Sequence, residues 1–413
     1  MESSLIVQLF LAIGLIIGAA QLAGSMARSI GQPRVFGELL AGVLLGPTVL
    51  DILHWGVFDD PELLKKTIEE FAELGVLFLM FTVGLEVHLR ELFSVGKVAI
   101  WGGVLGAALP VAMALPAVLV FDYSVETGIF VGVIMAATSV SISAQTLLEL
   151  GLLRTKEGIG LLATAVIDDI LAILLLSIVI AVLGPDAEDA TVLDLVWIFV
   201  RMVLYLGGAL LIAWFVLPPL FNWINRQARI SQGTASFALV AALIFGWAAD
   251  ALGGVAAITG AFVAGMGLSQ TNERVKLTVE ETVQHISYSF LVPIFFVNVG
   301  LHSDLTNIGG DMIPLALALG AISVISKIVG SGIGARLGGF NNGESFRLGV
   351  CMISRGEVGL IITSLLVAEN LLPDDLFEPV FLVILLTTVL TPPLVRLVFR
   401  DRAKTTPQRS TTA

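Results

Sequence analysis

About thirteen stretches of roughly twenty apolar residues follow one another along this chain, and twenty is the length an α-helix needs to cross a bilayer core. Their approximate limits are 4–26, 33–50, 71–87, 95–120, 127–148, 157–183, 193–217, 233–249, 253–270, 281–300, 311–335, 344–370 and 376–398. A backbone in hydrocarbon must satisfy its own N–H and C=O groups, so such windows are read as helices. Of the 413 residues 56% are hydrophobic and 14% charged, against about 45–50% and 25% in ordinary soluble domains. The 42 glycines suit close helix contacts, because small residues let backbones approach where lipid supplies no hydrophobic drive. The single cysteine, Cys351, excludes an internal disulfide. The net charge of -12 comes from acids grouped in short loops and implies no nucleic-acid partner. The first apolar stretch, Leu5 to Ala23, has no basic leader and reads as a retained span.

Lys and Arg concentrate in cytoplasmic loops, which tests the segmentation independently of hydropathy. With the N-terminus outside, seventeen of the 22 basic residues fall in cytoplasmic loops or the tail, among them Arg28, Arg34, Arg90, Arg154, Lys156, Arg226, Arg274, Arg336 and Arg347. External loops hold only Lys65 and Lys66 and are otherwise acidic: Asp59, Asp60 and Glu62, then Asp186, Glu188 and Asp189, then Asp374, Asp375 and Glu378. Arg201, Lys327 and Arg355 lie inside spans. The expected fold class is therefore an all-α polytopic membrane protein, N-terminus outside and C-terminus inside.

An internal repeat refines this. Gly37-Glu-Leu-Leu-Ala41-Gly42 resembles Gly260-Ala-Phe-Val-Ala264-Gly265, at an offset of 223 residues. Phe78 to Leu89 matches Ile294 to Leu305 at an offset of 216, sharing Val-Gly-Leu, and Gly132 to Met135 matches Gly349 to Met352 at 217. Each pair is seven spans apart, and an odd number means that the copies cross in opposite directions. This predicts an inverted-topology repeat of the kind found in secondary transporters, whose sites lie near the midplane on interrupted helices.

The chemistry is expected where charge is buried. A charge at mid-membrane costs at least about 2.5–3.5 kcal/mol, so such residues mark a pathway. Asp168 and Asp169 stand in Ala165-Val-Ile-Asp-Asp-Ile-Leu, with about ten residues of helix on either side. Neighbours on a helix point about 100° apart, so one carboxylate can face a protein partner and the other a cavity. Lys327, also mid-span, is the obvious countercharge for one of them; a purely structural ion pair is the other reading. Arg355 and Glu357 lie in Ser354-Arg-Gly-Glu-Val-Gly, which interrupts the twelfth window, and can neutralise each other. Thr138-Ser139-Val-Ser141-Ile-Ser143 interrupts the fifth in the same way. Broken helices at membrane depth are tolerated where they line a cavity or are buried in protein, and their free carbonyls and hydroxyls suit a small hard cation. A site that holds either protons or one cation, open to one side at a time, performs exchange by competition alone. The chain is thus read as a transporter and not an enzyme, with no cofactor.

These motifs, GELLAGVLLGP at 37–47, ATSVSIS at 137–143, VIDD at 166–169, Lys327 and SRGEVG at 354–359, resemble the monovalent cation:proton antiporter-2 family, and most of all its NapA-type bacterial Na⁺/H⁺ antiporters. The resemblance implies that Asp169 is the cation ligand and proton carrier. It also implies that Asp168 pairs with Lys327, that transient Na⁺ binding at Asp169 and Asp168 breaks the pair, and that Thr138 and Ser139 lie beside the site. Arg355 and Glu357 match a supporting charge pair on the second of two crossing discontinuous helices. It implies a homodimer in the cell inner membrane, with a dimerisation domain from 1–94 and 233–310, a core ion-transport domain from 95–192 and 311–400, a connector over 193–232 and a polar tail over 401–413. With two aspartates and the lysine, the resemblance also implies electrogenic exchange of Na⁺ or Li⁺ for H⁺. K⁺/H⁺ exchange of Kef type is the alternative, although those relatives carry Gln-Asp in place of Asp-Asp; a cation channel or sensor on the same helices is the other.

Overall fold

The computed structural model describes residues 5–87, 89–183, 192–226, 233–301, 310, 312–368 and 371–400. Among them the regular elements are all helical, without a strand. In chain order they are α1 (Leu5–Ser29), α2 (Arg34–Leu45), α3 (Pro61–Leu85), α4 (Leu89–Ser94), α5 (Gly96–Val120), α6 (Val125–Ala136), α7 (Val140–Glu149), α8 (Lys156–Leu183) and α9 (Val192–Phe215). They continue as α10 (Leu217–Arg226), α11 (Gly233–Ala248), α12 (Ala257–Leu268), α13 (Glu273–Ile286), α14 (Val292–Leu301), α15 (Ile313–Leu337), α16 (Asn342–Cys351), α17 (Glu357–Ala368) and α18 (Phe377–Val398). Nine helical runs among the described residues are long and apolar enough to cross a membrane, and α12 and α17 are shorter apolar helices. The apolar windows are thus not each one long helix, and the fifth and twelfth are each two. His88, His302, the acidic loop 184–191, the Glu357 side chain and the tail 401–413 lie outside what is described.

Helix α3 starts ten residues before its apolar window. Pro61 opens it with a preset φ, and the Asp60 side chain accepts from the Leu63 N–H, so the charged stretch with Lys65 and Lys66 is helical and not a loop.

The chain divides into two compact units. The first holds the described parts of 1–23, 38–93 and 169–307. Glycines of the repeat motifs make some of its close contacts. A Cβ on Gly300 would come within 2.6 Å of the Gly42 Cα, and one on Gly265 within 3.0 Å of the Gly84 Cα. Gly42 matches Gly265 in the repeat and Gly84 matches Gly300, so one contact is made twice, each time by one glycine from each copy. In the same unit Arg201, inside α9, donates to the carbonyls of Leu252 at 2.6 Å and Ala251 at 2.8 Å. The helical turns that follow α11 end over Ala249–Gly253, and a guanidinium there satisfies C-terminal carbonyls and opposes the helix dipole.

The second unit holds 24–37, 94–168 and the described part of 308–413. Helices α5 and α15 lie backbone to backbone: a Cβ on Gly330 would meet the Leu105 carbonyl, and one on Gly334 the Trp101 carbonyl. The glycines of Gly330-Ser-Gly332-Ile-Gly334 therefore pack helices. Neither carbonyl can retreat without unwinding α5, so Gly334→Val is expected to cost at least about 1–3 kcal/mol. The check is the thermal unfolding midpoint of the purified protein in detergent; an unchanged midpoint would show that the helices part freely.

Candidate functional site

The same glycine face of α5 positions a charge pair. Gly103 lies against Ile167 and the Asp168 backbone of α8, and Gly106 against Ser331 and Lys327 of α15. With no side chains at Gly103 and Gly106, both helices approach α5 closely enough for their charged groups to meet. The Lys327 Nζ donates to Asp168 Oδ1 at 2.9 Å and Oδ2 at 3.2 Å. The side chains are 0% and 1% exposed, so the pair is shielded from solvent. Twelve residues of α8 precede Asp168 and fourteen follow Asp169, which places both about 18–21 Å from the helix ends.

One residue on, the direction changes. Asp169 belongs to the first unit, since the boundary between the units falls between the two aspartates. Its Oδ2 accepts from the Thr259 hydroxyl, in the first turn of α12, at 3.2 Å, and both residues are buried. Asp168 thus meets an ammonium, and Asp169 accepts from a hydroxyl of α12. Thr259 escapes sequence reasoning. A single hydroxyl in Ala256-Ala-Ile-Thr-Gly carries no motif, and the one available signal is its place just after Gly254, whose φ of 64° marks the break before α12.

The second unit also contains both interruptions. Between α6 and α7, Ala137 and Ser139 are extended; between α16 and α17 the helix is broken over Met352 to Gly356. Each break carries backbone groups that its own helix leaves unbonded, and each satisfies the other's. The Ser139 N–H donates to the Ser354 carbonyl at 2.9 Å, and the Ser354 hydroxyl returns to the Ser139 carbonyl at 2.5 Å. The Ser143 hydroxyl donates to the Cys351 carbonyl at 2.5 Å. Thr138 is buried and its hydroxyl has no protein partner. An unsatisfied buried hydroxyl is costly unless water or an ion meets it.

Arg355 is 0% exposed. Its guanidinium donates to the Ile353 carbonyl at 3.1 Å, with longer bonds to Met352 and Ser323 at 3.4 Å, and its own carbonyl accepts from the Thr388 hydroxyl. It sits where the carbonyl end of α16 is exposed by the break, and a cation there offsets the helix dipole. The start of α16 is held by a reciprocal cap between Asn341 and Glu344. Its Arg347 pairs at 3.1 Å with Glu157 in the first turn of α8, tying the broken helix to the one that carries the aspartates. Of the sequence-predicted residues, Asp168 and Lys327 meet directly, Ser139 joins the two breaks, and Asp169 faces Thr259.

Comparison with known proteins reaches the whole of this arrangement. The family model described as "Sodium/hydrogen exchanger, transmembrane" matches residues 11–400. The Na⁺/H⁺-K⁺ antiporter GerN of Bacillus cereus is 36% identical over 397 residues, covering 96% of this chain and 98% of its own. The Na⁺/H⁺ antiporter of Enterococcus hirae is 33% identical over 382 residues, covering 92% and 96%. Among solved structures, the sodium proton antiporter MjNhaP1 from Methanocaldococcus jannaschii is similar in fold, with a TM-score of 0.68 at 16% identity over 97% of this chain and 98% of that one.

Proposed function

Because this chain belongs to the sodium/hydrogen exchanger family, we propose that it exchanges Na⁺ or Li⁺ for H⁺ by alternating access, with Asp169 as the shared cation and proton site. The observation that carries the reading is the division of labour between adjacent carboxylates: Asp168 is neutralised by Lys327 at 2.9 Å, whereas Asp169 accepts from an uncharged hydroxyl at 3.2 Å. A carboxylate that accepts from a hydroxyl can still take a cation or a proton, and the two loads exclude each other. Cation loading draws Asp168 away from Lys327, the ammonium then gives up its proton, and two protons move against one sodium. That ratio makes the cycle electrogenic. Thr138 and Ser139 add oxygens from the first break, and Arg355 with Glu357 supports the second.

The reading includes about thirteen spans in an inverted repeat with two crossing broken helices, N-terminus outside. The doubled glycine contact supports the repeat, because a two-fold relation between the copies generates one contact from the other. It also includes a homodimer in the inner membrane, with a dimerisation half and a mobile core. K⁺ as a second cation is favoured by one observation, the similarity to GerN, a Na⁺/H⁺-K⁺ antiporter.

Proteoliposomes holding a pH gradient test both. Addition of Na⁺ is expected to dissipate the gradient, faster when the membrane potential favours two protons per sodium; K⁺ at the same concentration reports the second cation. Absence of any Na⁺-driven proton movement would sink the proposal.

A further inference from the structure

We propose that Thr259 is a cation-shell residue of the exchange site, its hydroxyl donating to Asp169 when no cation is bound and turning a lone pair to the cation when Na⁺ is bound. The proposal rests on the reading of Asp169 as the cation site. A hydroxyl is the neutral side-chain group that serves both states, since one O–H bond rotation converts donor into acceptor.

The Thr259 hydroxyl goes to a carboxylate. Several buried helical threonines bond back to their own helix: Thr82 to the Phe78 carbonyl at 2.9 Å, Thr146 to Ile142 at 2.7 Å, Thr363 to Gly359 at 2.7 Å and Thr387 to Val383 at 2.9 Å. That bond is the default use of a hydroxyl in an apolar helix. Thr388 reaches across to the Arg355 carbonyl, a backbone group. Thr259 is the third residue of α12, and the residue four before it, Val255, precedes the helix. It has no preceding helical turn to bond back to. The backbone reversal at Gly254, with φ 64°, starts α12 at this point, so the break that ends one helix delivers a free-turning hydroxyl to Asp169. Thr259 is 5% exposed and Asp169 7%, so water competes weakly for either group and a bond to a charged carboxylate keeps much of its strength. Asp and hydroxyl oxygens together are hard donors of the kind an alkali cation takes.

Thr259→Val keeps the shape and removes the oxygen; Thr259→Ser keeps the oxygen and removes the methyl group. In proteoliposomes Thr259→Val is expected to raise the KM for Na⁺ by about tenfold, the scale of one contact to a charged group, with maximal rate within about twofold because ground-state binding is what is lost. Thr259→Ser is expected to restore the wild-type KM. Independently of transport, the purified protein in detergent is heated across a series of NaCl concentrations at constant ionic strength with choline chloride. The Na⁺ concentration giving half of the thermal stabilisation is expected to rise for Thr259→Val in step with KM. A Thr259→Val protein with wild-type KM and stabilisation curve overturns the proposal. So does Thr259→Ser behaving like Thr259→Val, which would assign the effect to the methyl group, or lost exchange with an unchanged stabilisation curve. A wild-type protein that moves no protons with Na⁺ overturns the functional reading of Asp169 instead.

Discussion

Asp169→Asn is expected to abolish exchange. The amide has nearly the shape of the carboxylic acid and can still accept from the Thr259 hydroxyl 3.2 Å away, so the first unit keeps its packing. It cannot carry a negative charge, and at neutral pH it takes up no proton. In the proposed cycle both cargoes therefore lose their site in one substitution, and the expected fall in Na⁺-driven proton flux is to the background of empty liposomes. Asp168→Asn is the informative partner: it disturbs the ion pair with Lys327 but leaves Asp169 in place, so it is expected to retain measurable flux. Wild-type flux from Asp169→Asn would remove the central claim, whatever the other variants do.

Lys327→Ala is expected to have the largest effect on stability and a distinct effect on transport. The lysine is fully buried and its ammonium meets both oxygens of Asp168. Removing one member of a buried pair strands the other charge in a medium that solvates it poorly, at a cost of about 3–5 kcal/mol. The thermal midpoint in detergent should fall sharply, and it should recover in large part in the Asp168→Asn, Lys327→Ala double variant, where no charge is stranded. A non-additive cycle of this kind isolates the pair. In the proposed cycle, loss of the lysine removes one of the two proton carriers. The residual exchange should become one for one and lose its dependence on membrane potential, measured by clamping the potential with K⁺ and valinomycin. Unaltered potential dependence in a folded Lys327→Ala protein would mean that the lysine serves structure only.

Much of the fold is legible in the chain because the bilayer leaves few choices. A run of apolar residues in lipid must be helical, and the polar clusters within 137–143 and 354–359 point to interruptions of the apolar spans that hold them. The structure has interruptions at both places. Helix ends were less legible. Charged residues such as Lys65, Lys66, Arg274 and Lys276 read as loops by hydropathy yet continue α3 and α13, because polar side chains outside an apolar window carry no penalty in a helix. The role of Arg201 was hidden because the carbonyls it caps are some fifty residues away in the chain.

The sequence by itself determined that this chain is helical and membrane-embedded, and it singled out Asp168, Asp169 and Lys327, because uncompensated charge in an apolar run is visible without coordinates. Apart from the family resemblance, which implies Asp168, charge and spacing alone could not tell which carboxylate the lysine meets, since two adjacent residues differ in sequence by one position and in space by a direction. Only the tertiary structure decided that, through the bare backbone face of α5 that admits α8 and α15 close enough for Lys327 to reach Asp168. The Thr259 contact is of the same kind: the residues are ninety positions apart, and a lone hydroxyl gains meaning only when packing sets it beside a charge.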